Sequence, residues 1–318
     1  MRRFILFLLA CAALFAAAAL LVSGGDARAF LESDPFSLTV ILGISLAAVS
    51  FAAGLLSGDY SWVDRLWSTA PVVFAWIYAA KGGFTFQSAG SACLVTVWGC
   101  RLTANFARRG GYTGTEDYRW SILRTRIRNP FLWQLFNALF ICAFQVAVLV
   151  LFTSPLSRIA AAGSDGVTAS FLASVALALL FVRFETVADG EQAAFQARKA
   201  AAARDASLAD DETRRGFRSS GLFRLSRHPA YFGELGFWWS VYLAGCAADG
   251  SLLHWSIAGP VLLTAVFIGS TRFTESISAA KYPAYSEYQK RTSAIVPWWP
   301  RSAQRTQREE ENTEEDSE

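Results

Sequence analysis

With 318 residues, 53% of them hydrophobic and only 17% charged, the chain carries more apolar surface than a soluble domain of its length can bury, including eleven tryptophans and twenty-five phenylalanines. A formal charge of +3 gives no reason to invoke nucleic acid, and two histidines exclude a histidine-rich metal centre. The class implied is an integral membrane protein.

A bilayer-crossing helix takes about 20 apolar residues. In chain order the candidates are Phe4 to Val22, Phe36 to Leu56, Leu66 to Ala80, Ser91 to Phe106, Phe131 to Phe152, Val167 to Val187, Leu235 to Ala248 and Leu253 to Thr271. They predict an all-α fold, a polytopic membrane helix bundle of about seven to eight transmembrane helices. Two are short, Leu66 to Ala80 and Leu235 to Ala248, and are expected to extend into amphipathic flanks or to lie partly in the interface. Arg2, Arg3 and the triplet Ala27-Arg28-Ala29 around the first segment also fit a secretory signal, but an apolar core of nineteen residues favours a retained helix. The expected organisation is a first helix or signal over 1–29, one membrane domain over 30–300 and an acidic tail over 301–318.

The basic residues set the topology, because cytoplasmic loops hold an excess of lysine and arginine. With a cytoplasmic amino terminus, only Arg28, Lys81 and Arg158 of the 29 basic residues fall in outward loops. Residues 107–130, 188–234 and everything after Thr271 then share the cytoplasmic face, and both termini lie there. Arginines far outnumber lysines and alanine is abundant, which points to a GC-rich bacterial genome and an inner-membrane location. The final stretch, Glu309 to Glu318, has seven acidic groups and no apolar residue, so it is expected to be disordered. Gln196 to Gly221 reads as a polar loop. Cys11, Cys93, Cys100, Cys142 and Cys246 all lie inside apolar segments without metal or redox spacing, so no metal is expected.

Four constellations carry possible chemistry. Glu185, Asp189, Gln192, Gln196 and Lys199 follow spacings of 4, 3, 4 and 3, which puts them on one face of a helix. Such a stripe suits the hydroxyls and phosphates of a dinucleotide, although a solvated surface face has the same pattern. Next come Arg214, Arg215, Arg218 and Arg224, whose planar forks match phosphate oxygens or anionic lipid headgroups. They lead into Arg227-His228-Pro229-Ala230-Tyr231-Phe232-Gly233-Glu234, where Pro229 stiffens the entry, Gly233 permits close approach and Glu234 enters an apolar segment as a carboxylate. The third holds Arg272, Glu275, Tyr282, Tyr285 and Tyr288, then Pro297-Trp298-Trp299-Pro300; an interfacial aromatic belt is its ordinary explanation. The fourth, Asp59-Tyr60-Ser61-Trp62-Val63-Asp64-Arg65, reads as helix capping. Between them, Arg119 to Arg128 sets Trp120, Leu123 and Ile127 on one side of an interfacial anchoring helix.

The ordered set of Asp189, the Arg-His-Pro-Ala-Tyr-Phe-Gly-Glu run and the Tyr282-Pro-Ala-Tyr-x-x-Tyr stretch leading to Ile295-Val-Pro-Trp-Trp-Pro resembles the steroid 5-alpha-reductase superfamily, in particular its bacterial membrane branch. Val63-Asp-Arg-Leu-Trp and Trp98-Gly-x-Arg-Leu are similar to amino-terminal signatures of the same proteins, so the resemblance covers roughly Asp59 to Pro300. It implies a bundle of about seven membrane helices that holds NADPH in its cytoplasmic half and a lipidic enone or enoyl substrate, steroid-like or isoprenoid, in its bilayer half. By that resemblance Asp189 contacts the adenosine side, loop arginines meet phosphate, and Glu234 lies near the nicotinamide. Cofactor-binding roles fall on Asp189, Arg227, His228, Tyr231, Arg272, Glu275, Tyr285 and Tyr288, and catalytic roles on Glu234 and Tyr231. Ala230 departs from the asparagine common at its position, whose amide suits the nicotinamide carboxamide.

The expected reaction is hydride transfer to the β-carbon of a conjugated carbonyl, with an acid hydrogen-bonded to the carbonyl oxygen as charge develops there. A carboxyl donates such a bond only while it keeps its proton, which a low-dielectric surrounding favours. Two alternatives stand beside the reductase. Isoprenylcysteine carboxyl methyltransferases share a similar Arg-His-Pro-x-Tyr-x-Gly run and use S-adenosylmethionine; a non-catalytic lipid-binding scaffold is the other, kept open by Ala230.

Overall fold

The computed structural model describes residues 2–26, 32–114, 116–163 and 166–301. The triplet at 27–29 and the acidic stretch 309–318 lie outside the described residues. All eight apolar segments are helical, and among the described residues there is no strand, only an isolated bridge between Ser226 and Ser293. The chain forms two compact units, one of Met1–Ala178 with Trp238–Leu262, the other of Leu179–Phe237 with Leu263–Glu318.

The first unit begins with α1 (Arg2–Val22), whose exposed Leu6, Leu9 and Leu21 suit lipid. It packs on α2 (Pro35–Ser57). Local chemistry sets the ends of α2. The Asp34 carboxylate accepts from the Ser37 N–H at 2.9 Å, Pro35 opens the helix, and Gly58 closes it at φ 69° with its N–H on the Gly54 carbonyl. Helices α3 (Ala70–Lys81) and α4 (Phe86–Arg108) form a hairpin. The sequence expectation started the third segment at Leu66; instead Asp64–Leu66 form a 3₁₀ turn and the helix starts at Ala70, beside Pro71 in its first turn.

Helix α5 (Tyr118–Arg126) is capped by Asp117, and its Trp120 is buried with Tyr60, Trp133 and Ile141. Helix α6 (Pro130–Ala162) contains a π-helical stretch, Asn137–Phe144, flanked by buried Asn137 and Gln145. Its polar groups are answered from the 60s: Gln134 donates to the Tyr60 hydroxyl at 2.9 Å, and Trp67 donates to Gln145 Oε1 at 2.8 Å. Trp98 packs edge-on against Trp238, at 4.9 Å between ring centroids.

Helix α7 (Ala169–Arg204) is one continuous rod. Gln196 to Arg204 therefore belongs to a helix, a correction to the loop expected there; the Ala-rich run after Gln192 propagates the helix despite its polar flanks. The short α8 (Asp211–Arg215) follows, then α9 (Pro229–Asp249), α10 (Ala258–Lys281) and α11 (Tyr285–Arg291). Five stretches are long and apolar enough to cross a membrane: Phe4–Val22, Pro35–Ser57, Pro130–Ala162, Ala169–Arg204 and Trp255–Lys281. The architecture is that of an all-α membrane helix bundle.

Candidate active site

Every residue singled out for catalysis or cofactor binding falls in the second unit. The segment before α9 is pinned by backbone bonds to the one after α11. Arg227 N–H donates to the Ser293 carbonyl at 2.8 Å, His228 N–H to Ala294 at 3.0 Å, and Trp298 N–H to Leu225 at 2.9 Å. Pro229, with its fixed φ, then opens α9.

Arg227 is the hub. Its Nε and Nη2 bind both oxygens of Glu275 on α10, at 2.5 and 2.9 Å, and its Nη1 donates to the carbonyls of Gln289 and Thr292. Glu275 also meets His228 Nε2 at 3.1 Å and accepts from Gln289 Nε2 at 2.9 Å. Both charges are nearly buried, so this bidentate pair locks α9, α10 and α11 into one piece and spends most of the Arg227 fork on protein.

The Tyr231 ring stacks on His228, 5.0 Å between centroids and 18° between planes, and meets the edge of Phe267. Its hydroxyl has no hydrogen-bond partner among the described residues. One turn later on the same face of α9 comes Glu234, which is buried. Gly233 lies directly against the side chain of Glu185 on α7, and Gly236 against Phe181. A Cβ on Gly233 would overlap Glu185 Cγ, and Glu185 is 1% exposed. Gly233→Ala is accordingly expected to cost about 1–3 kcal/mol, read as a lowered melting temperature of the purified protein, whereas Gly190→Ala, with open space around its Cβ position, should not lower it.

The polar stripe of α7 is solvated only in part, with Gln196 exposed and the other four members buried or half-buried. Glu185 and Asp189 are buried, Gln192 is half-buried, and Lys199 donates to the Gly216 carbonyl at 2.6 Å and the Tyr282 hydroxyl at 2.9 Å. Tyr285 and Tyr288 pack around Phe217, at 5.1 and 5.3 Å between centroids. Burial pushes both phenols well above their usual range, with the Glu275 charge adding to the rise at Tyr285. Tyr288 donates its hydroxyl proton to the Phe223 carbonyl. Arg272 is exposed and forms no ion pair among the described residues.

Three members stand outside the motifs legible in the sequence. Gln289 completes the Glu275 shell; Glu191, one place off the stripe, receives the Leu222 N–H at 3.0 Å and Arg218 at 3.4 Å; Glu212 receives the Ser219 N–H at 2.8 Å. Partial burial works against the Glu212 charge, yet the Ser219 and Ser220 bonds and Arg218 hold its carboxyl below the ordinary value. Its contribution to stability is present above the unfolded carboxyl pKa of about 4.3 and is lost as pH falls through the lower folded value. Proteolytic nicking of the 205–224 loop should therefore rise below about pH 4 in the parent, with a smaller rise in Glu212→Gln. Of the fourth constellation, in the first unit, Asp64 accepts from Trp120 Nε1 at 2.8 Å and burial pushes its carboxyl up. The helix capping expected of Asp59 is not found: it accepts the Ser61 N–H at 2.9 Å and Arg65 at 2.6 Å, and Val63 precedes the Asp64–Leu66 turn without a side-chain cap bond.

A family model described as "Protein of unknown function (DUF1295)" matches residues 50–292. The chain is 34% identical over 281 residues to "Uncharacterized protein C594.04c" of Schizosaccharomyces pombe, covering 84% of this chain and 81% of that one. No solved structure matches.

Proposed function

The chain belongs to the family of proteins of unknown function DUF1295, and from its site we propose a membrane-embedded, NADPH-dependent reductase of a conjugated C=C bond in a lipidic enone or enoyl substrate. The reading follows the resemblance to the steroid 5-alpha-reductase superfamily. What carries it is one juxtaposition: a half-buried Tyr231 hydroxyl with no partner among the described residues, held by its stack on His228, one helical turn from buried Glu234.

The residues fit a dinucleotide. Arg272 offers an exposed guanidinium for phosphate, and Asp189 a buried carboxylate for adenosine hydroxyls. When bound, NADPH supplies the hydride. Tyr231 holds a proton at its hydroxyl for the carbonyl oxygen of the substrate, and Glu234 orients that hydroxyl or donates in its place as charge develops. Arg227 and Glu275 position: through them His228, and so Tyr231, keeps its plane. Tyr285 and Tyr288, whose burial keeps them neutral, wall the site rather than exchange protons. Ala230 leaves the nicotinamide carboxamide to backbone or water. The location proposed with this is a bacterial inner membrane with both termini cytoplasmic.

Membranes containing the chain should oxidise NADPH only when a conjugated enone is added. Methyl transfer from S-adenosylmethionine, or NADPH binding without turnover across an enone panel, would overturn the reading in favour of a methyltransferase or a lipid-binding scaffold respectively.

A further inference from the structure

A cavity of about 550 Å³ opens in the second unit between the 215–224 loop and the segment after α11. Its lining includes Arg215, Arg224, Arg291 and Arg301, against one acidic residue among the described residues, Glu287. Arg291 holds Glu287 at 2.7 Å, and Arg224 is exposed with no ion pair among the described residues. The lining is thus strongly cationic. Arginine forks match the tetrahedral oxygens of phosphate, and more than one at a pocket of this size suits a phosphate-bearing anion.

Two features choose among such anions. Trp299 lines the cavity and is 75% exposed, beside Trp298 at 72% and Val296 at 59%, an amphipathic rim of the kind found at headgroup depth. Ala284, also in the lining, follows by three residues the end of α10, a helix long and apolar enough to cross the membrane. The Tyr231 and Glu234 pair, by contrast, contributes nothing to the lining, and of the residues expected to hold the nucleotide only Tyr288 and the loop arginines Arg215 and Arg224 border it. We infer that this cavity is a headgroup site for an anionic phospholipid, distinct from the proposed nucleotide site: the phosphate meets Arg224 and Arg291, and the lipid tails run past Trp298 and Trp299.

The test is native mass spectrometry of the full chain in detergent with equimolar phosphatidylglycerol and phosphatidylcholine, repeated with inorganic pyrophosphate and with NADPH. Bound phosphatidylglycerol should exceed phosphatidylcholine by about tenfold, and the Arg224→Gln/Arg291→Gln double variant should bring the two near parity. Both substituted side chains are exposed, so the variant is expected to fold, and an unchanged melting temperature checks this. Parity in the parent, or an unchanged ratio in the double variant, would overturn the inference. Displacement of phosphatidylglycerol by pyrophosphate or NADPH would overturn it too, and would make free or nucleotide phosphate the occupant.

Discussion

Replacing Arg227 by alanine should destabilise the protein by about 3–5 kcal/mol. The arginine holds both oxygens of Glu275 and the carbonyls of Gln289 and Thr292, so its removal leaves a nearly buried carboxylate and two acceptors without their main donor. Lysine should not rescue, because one ammonium cannot reproduce a planar fork that serves α10 and the end of α11 together. Glu275→Gln should cost less, since the amide keeps one acceptor for Arg227. Thermal unfolding in detergent measures all three; a melting temperature for Arg227→Ala equal to that of the parent would show that the pair holds nothing together.

Glu234→Gln should lower enone-dependent NADPH oxidation by about 10²-fold or more, with folding and NADPH affinity retained. Glutamine matches the shape of the buried side chain and removes its capacity to give or take a proton. Tyr231→Phe tests the partner group: it deletes a hydroxyl that no described residue engages, and it preserves the stack on His228 and the contact with Phe267. Its activity should fall comparably at unchanged stability. If Glu234→Gln retains the parent rate, Glu234 has no part in the reaction, and a matching result for Tyr231→Phe would move the chemistry elsewhere in the chain.

The helices were legible because hydropathy is local: each of the eight apolar runs falls on a helix, although only five stretches are long and apolar enough to cross a membrane, and the bounds shift where capping or turn chemistry intervenes, as at the Asp64–Leu66 turn. The segment that hydropathy began at Leu235 instead starts at Pro229, whose fixed φ suits the first turn of a helix. The 4, 3, 4, 3 spacing placed Glu185, Asp189 and Lys199 on one face, but not whether that face meets water; Gly233 against Glu185 decides it, through a contact between residues 48 apart in sequence. The Arg227, Glu275 and Gln289 cluster was half legible. Its first two members stood in marked motifs, but their pairing joins three elements, and no single-sequence pattern encodes it. Burial of Tyr285 and Tyr288 around Phe217 is likewise a packing fact, since an interfacial belt and a buried wall share one composition.

The most direct test is a density map of the purified full chain saturated with NADPH. The nicotinamide end should lie in contact with Tyr231 and Glu234 and the adenosine end beside Asp189. A map with no nucleotide at saturation, or with the nicotinamide turned away from Tyr231 and Glu234, would contradict it.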